Sequence, residues 1–98
     1  MGRQFTKTTT PRAEYENYEG TLTTNTMLDI LTDLGRKSVG GSIENTHAAD
    51  DFTFKLNSTG DKAITMSAGD IFNLDGQQVS AIYLIHDGVN SSYAIYVN

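Results

Sequence analysis

Gln78–Asn98 reads QVSAIYLIHDGVNSSYAIYVN and is the most apolar, β-branched and aromatic stretch of the chain. In its first half Val79, Ala81, Tyr83 and Ile85 alternate with Ile82 and Leu84. Alternation of period two predicts a strand, and apolar groups in both phases predict burial on both faces. Asp87-Gly88-Val89-Asn90 carries turn chemistry, and Tyr93, Ile95 and Val97 line a second strand with Tyr96 opposite. The stretch is therefore expected to fold as a hairpin. One face belongs to a core, and the other is the seat of a helix or of a second subunit.

The segments upstream supply the cover for that hairpin. In FTFKLN, residues 52–57, Phe52, Phe54 and Leu56 alternate with Thr53, Lys55 and Asn57. Turn residues at Ser58–Asp61, Ala68–Asp70 and Asp75-Gly76 separate this strand from AITMS, residues 63–67, and from Ile71–Leu74, where Phe72 and Leu74 share a face. SVGGSIE, residues 38–44, is a weaker strand whose Gly40-Gly41 pair signals a bulge or a close backbone approach. The one helix is expected at residues 26–34, where Met27, Ile30, Leu31 and Leu34 form an apolar stripe. Asn25 or Thr26 is placed to cap it, and Gly35 to end it in the left-handed conformation.

Strands set apart by Gly/Asp turns at roughly 8–12-residue spacing are the pattern of a sandwich or barrel. The expected fold is mainly β: a small antiparallel β-sandwich or partly open barrel of five to six strands with one short helix, over residues 25–98. Residues 1–24 read as an extended N-terminal arm, because Thr8-Thr9-Thr10-Pro11 favours extended backbone and Glu14–Glu19 shows no clean face.

Composition narrows the function classes. A chain of 98 residues is one domain's worth, and with 38% hydrophobic residues and no cysteine its core is thin and unstapled. Its stability is expected to come from packing, from assembly with other subunits, or from both. The net charge is −5, yet Arg3, Lys7 and Arg12 stand in an N-terminal stretch without an acid, and all twelve acidic residues follow. An acidic body argues against nucleic acid, which requires clustered Lys and Arg. No segment has the length and apolarity of a membrane span. MGRQFT fits a loose myristoylation pattern, too permissive to carry weight.

Nothing in the sequence converges on catalysis, and neither a cofactor nor a metal site is expected. His47 precedes Asp50 and Asp51, a grouping that could hold a hard cation but reads better as an acidic loop before a strand. His86 lies beside Asp87 and near Ser91 and Ser92, but a triad is defined by geometry and not by proximity in sequence. Tyrosine combines large contact area with a polar tip, so Tyr15, Tyr18, Tyr83, Tyr93 and Tyr96 are expected at a partner interface. The arm residues Arg3, Phe5, Lys7 and Arg12 are expected to join them, with the basic arm reaching an acidic neighbour.

Ile64–Gly69, Phe72, Leu74, Val79–Tyr83 and Tyr93–Val97 follow an order of strand, A-G-D, apolar strand, turn, V-S-x-I-Y and final hairpin. This order resembles the C-terminal half of small β-sandwich accessory proteins of tailed-phage virions, and LDILTDLGRKSVGGSI, residues 28–43, resembles them too. The resemblance implies a non-enzymatic virion component. It would be a capsid decoration (cement) protein bound to the major capsid protein through its arm and self-associating, or else a neck, tail or baseplate subunit. The competing class is a β-sandwich module that presents its Asp/Gly turns to a receptor or glycan.

Overall fold

In a computed structural model, described here for residues 14–98, eight strands and one helix follow in order. They are β1 (Glu16–Leu22), β2 (Thr26–Leu28), α1 (Ile30–Leu34), β3 (Gly41–Asn45), β4 (Phe52–Leu56), β5 (Ile64–Met66), β6 (Ile71–Asn73), β7 (Ile82–Ile85) and β8 (Ser91–Val97). One sheet has the order β1-β8-β3-β6, the other β2-β7-β4-β5, and every neighbouring pair is antiparallel. The mainly β expectation holds, with eight strands among the described residues in place of five to six. The sheets stay separate and do not close into a barrel.

Each sheet turns one phase of its alternation toward a shared core. The first contributes Leu22, Ile43, Ile95 and Val97; the second contributes Leu28, Phe52, Phe54, Met66, Ile82 and Leu84. Phe54 meets Phe72 edge-on across the gap, with ring centroids 5.2 Å apart, the geometry aromatic quadrupoles favour. Ile30 and Leu34 of α1, together with Leu74 and Val79, fill the remaining space.

The expected C-terminal hairpin is not there. β7 and β8 are interior strands of different sheets, so Asp87–Asn90 carries the chain across the core. Ile82 and Leu84 face Ile95 and Val97 from opposite layers, and alternation alone is satisfied equally by lateral pairing and by stacking. Among consecutive strands only β4 and β5 pair side by side, through Phe52↔Met66 and Phe54↔Ile64.

The helix is shorter than residues 26–34. Thr26–Leu28 pairs with β7 instead, with Met27 opposite Tyr83 and Leu28 opposite Ile82. The sheet edge offers that backbone its hydrogen bonds, whereas an isolated helix of this length is marginal. Asp29, not Asn25 or Thr26, is the cap: its Oδ1 accepts the Thr32 N–H at 3.1 Å and its Oδ2 the Thr32 hydroxyl at 2.8 Å. Gly35 closes the helix at φ 79°, donating its N–H to the Leu31 carbonyl. The apolar stripe is thereby split, with Ile30 and Leu34 buried while Met27 and Leu31 are exposed.

Glu16–Leu22, within the stretch read as an arm, forms β1 along β8 from Glu16↔Val97 to Leu22↔Ser91. Gly41 is the close approach that the glycine pair signalled. At φ 130° a Cβ there would overlap the Tyr96 carbonyl oxygen of the adjacent strand, so any side chain must push β3 and β8 apart.

Candidate functional site

Two outward faces hold the exposed aromatic and apolar groups. On the second sheet, β2, β7 and β4 align Met27, Tyr83 and Lys55 in one cross-strand row. Asn25, Thr26, Thr59, Leu84 and Ile85 complete the walls of an open hollow of about 340 Å³. The Lys55 ammonium donates to the Thr59 carbonyl at 2.8 Å, which fixes it at the rim. Helix α1 does not cover this face, because Ile30 and Leu34 point into the core. The hollow can accept an apolar or aromatic group and bond a polar one at its edge.

On the first sheet, the outward row Glu19, Ala94 and Glu44 leaves a shallow depression of about 130 Å³ above the small Ala94. Beside it Tyr15 stacks on Tyr96, with centroids 5.8 Å apart and planes at 26°. The face is acidic and aromatic, with no lysine or arginine lining the depression.

The expected interface residues therefore scatter. Tyr15 and Tyr96 share the outer face of the first sheet, and Tyr83 lies on the outer face of the second. Tyr18 and Tyr93 turn inward and pack against the core. The Tyr18 hydroxyl donates to Asp33 Oδ2 at 2.6 Å. Partial burial, and then this carboxylate, push the phenol well above its ordinary range, because both disfavour the phenolate. Tyr93 lies over Gly20, where a Cβ would come within 3.2 Å of its hydroxyl. Arg3, Phe5, Lys7 and Arg12 lie outside the described residues.

Both histidines serve turns. His47 Nδ1 accepts the N–H groups of Ala49 and Asp50 at 3.1 and 3.0 Å. The ring proton therefore sits on Nε2, and the Asp50 carboxylate 3.6 Å from Nδ1 has no proton to share there. No three of His, Cys, Asp and Glu gather as a metal cage among the described residues. His86 Nε2 lies 2.9 Å from Asn90 Oδ1, and its Nδ1 accepts from Gly88 N–H at 3.4 Å, so it ties the Asp87–Asn90 crossover. The Ser91 hydroxyl is buried and donates to the Asp50 carbonyl at 3.1 Å.

Asn45 is the residue that sequence reasoning missed. It is fully buried at the end of β3, and its amide donates to the carbonyls of Asp50 and Met66, both at 2.9 Å. Its Oδ1 accepts the His47 N–H at 2.9 Å. One amide thus joins β3, the loop before β4 and the edge strand β5. The available signal was phase: Asn45 follows Ile43 by two, so a polar group stands at an inward position. Met27 was missed as a surface residue because it fitted the helical stripe.

No helix among the described residues is long and apolar enough to cross a membrane. Comparison with known proteins finds no matching family model, no matching curated protein and no matching solved structure.

Proposed function

We infer that the protein is a non-enzymatic structural subunit of a virion, a capsid decoration (cement) protein that sits on a shell of major capsid protein and associates with its own copies. The observation that carries this reading is the outer face of the second sheet, where Met27, Tyr83 and Ile85 border an open hollow instead of lying under α1. Tyrosine and methionine at the centre of a patch with a polar rim are the side chains interfaces favour. The Tyr15–Tyr96 stack offers a second contact on the opposite face. The virion context comes from the resemblance of residues 28–43 and 64–98 to tailed-phage accessory proteins. A neck, tail or baseplate subunit would use the same two faces against a different neighbour.

Co-sedimentation with capsids of the source virus stripped of their decoration tests the reading. Saturable binding at a fixed number of copies per capsid, weakened by Tyr83→Ser, is expected. Folded protein that stays in the supernatant at every concentration rejects it.

A receptor- or glycan-binding module is the second reading, favoured by the placement of the Tyr83 ring among Asn25, Lys55 and Thr59 in one hollow. Stacking on an aromatic face with polar groups at the rim suits a sugar ring. Specific glycan binding that disappears in Tyr83→Ser would replace the decoration reading with this one.

A further inference from the structure

β1 is an edge strand of seven residues, whereas the other three edge strands, β2, β5 and β6, have three each. Its register with β8 runs one to one from Glu16↔Val97 to Leu22↔Ser91, so it contains no bulge. It carries neither lysine nor proline, and Asn17, Glu19, Gly20 and Thr21 are exposed along it. Edge strands are normally blunted by one of those devices, because their free N–H and C=O groups template another strand. Among the described residues no hydrogen bond reaches the free side of β1. Among the described residues it is the longest edge strand, and its only charged side chains are Glu16 and Glu19.

The chain also supplies a segment of matching chemistry. Residues 3–9, outside the described residues, read RQFTKTT: β-branched and aromatic, with Arg3 and Lys7 and no acid. β1 holds Glu16 and Glu19 and no base. Residue 14 offers its carbonyl to Arg36 Nη2 at 3.3 Å, and Tyr15 lies on Tyr96. Those contacts tie residues 14 and 15 to the body of the fold immediately before β1. The six residues from Thr9 to Tyr15 reach up to about 20 Å when extended. That is ample for a sheet laid edge to edge, where strands are about 4.8 Å apart.

We propose that residues 3–9 of one copy add to the β1 edge of a second copy as an antiparallel strand, with Lys7 opposite Glu19, so that copies are joined by exchanged N-terminal segments. In this register Phe5 stands opposite Thr21 and Thr9 opposite Asn17 on the outer face. Thr6 and Thr8 then fall on the core side beside Gly20 and Tyr18. Main-chain bonds to the edge supply affinity and the Lys7–Glu19 pair supplies register. The inference deepens the self-association in the proposed function but needs no viral context. A chain that exchanges segments yet ignores capsids would separate the two ideas.

The test uses the full chain, which lacks cysteine, so introduced thiols report cleanly. Phe5→Cys chains mixed with Thr21→Cys chains are expected to give a disulfide-linked heterodimer under mild oxidation, and neither variant alone is expected to do so. Sedimentation is expected to show concentration-dependent oligomers that become monomers when residues 2–10 are deleted, with the circular dichroism unchanged. Glu19→Lys is expected to weaken association roughly fivefold, and Lys7→Glu in the same chain to restore it. A monomer at all concentrations, oligomers that survive the deletion, or a Phe5→Cys/Thr21→Cys double variant that links only within one chain would each overturn the proposal.

Discussion

Asn45 is the position where one side chain holds the most of this fold together. Replacing it with alanine removes both bonds from its amide, to the Met66 and Asp50 carbonyls, and the bond it accepts from His47 N–H. The Asp50 carbonyl keeps the Ser91 hydroxyl at 3.1 Å, so it is only partly deprived. The bond to the Met66 carbonyl is buried, and that oxygen loses its side-chain donor. A buried polar group left unpaired costs about 1–3 kcal/mol, and the vacated amide adds a small cavity. The expected loss is about 3 kcal/mol, a large share of the roughly 5–15 kcal/mol that holds a small domain folded. In a chain of this size that lowers the melting temperature by about 15 °C. Urea unfolding followed by circular dichroism, with the slope unchanged and the midpoint lowered, measures it. Asn45→Asp keeps the shape but sets a carboxylate against two carbonyl oxygens, which raises its folded-state pKa. That variant is therefore expected to approach the wild type as pH falls, when the protonated acid can donate again. A loss below about 1 kcal/mol for Asn45→Ala would refute the argument that this amide bridges β3 to β5.

Three further outcomes follow from the geometry. Gly41→Ala forces a Cβ into the Tyr96 carbonyl at a backbone angle suited to glycine, and it is expected to cost more than about 2 kcal/mol by urea unfolding or to prevent folding. Tyr18 has a raised folded-state pKa because it is partly buried and donates to Asp33. The stability it contributes is complete below about pH 10 and declines as pH rises above that, toward the folded value. Tyr18→Phe is expected to flatten this alkaline decline in melting temperature. Met27→Ser and Tyr83→Ser are expected to change stability by less than about 1 kcal/mol, since both side chains line an outward hollow. The same two variants are expected to lower capsid occupancy in the co-sedimentation assay.

The tyrosines show how far a site can be read in advance. All five were legible as large amphipathic side chains, but a surface requires that they share a face. Tyr18 and Tyr93 fall in the inward phase of β1 and β8, and Tyr96 in the outward phase. Tyr83 belongs to the other sheet altogether. Composition reports that such residues exist, while phase and sheet membership decide which of them meet. The histidines give the same lesson in reverse. Their acidic neighbours drew attention, yet the atoms that engage Nδ1 are backbone N–H groups of the following turn.

Period-two alternation was enough to determine which side chains are buried in part of the chain. Phe52 and Phe54, and Ile95 with Val97, lie inside, because a pleated strand with one wet face has no other way to bury its apolar phase. In β7 both phases are apolar and two-sided burial was expected, yet only Ile82 and Leu84 are buried while Tyr83 and Ile85 line the outer hollow. The left-handed Gly35 was equally local, since a helix end at φ 79° favours glycine, whereas the carbonyl that crowds Gly41 belongs to Tyr96 on the distant strand β8. What only the tertiary structure decided was the partner of each strand. Gln78–Asn98 looked like a hairpin, but β7 and β8 bury the same residues by facing one another across the core, each as an interior strand of its own sheet. Thr26–Leu28 fitted a helix until β7 offered it an open edge. Such choices depend on which backbone groups are left unpaired by distant segments, and no local pattern records that.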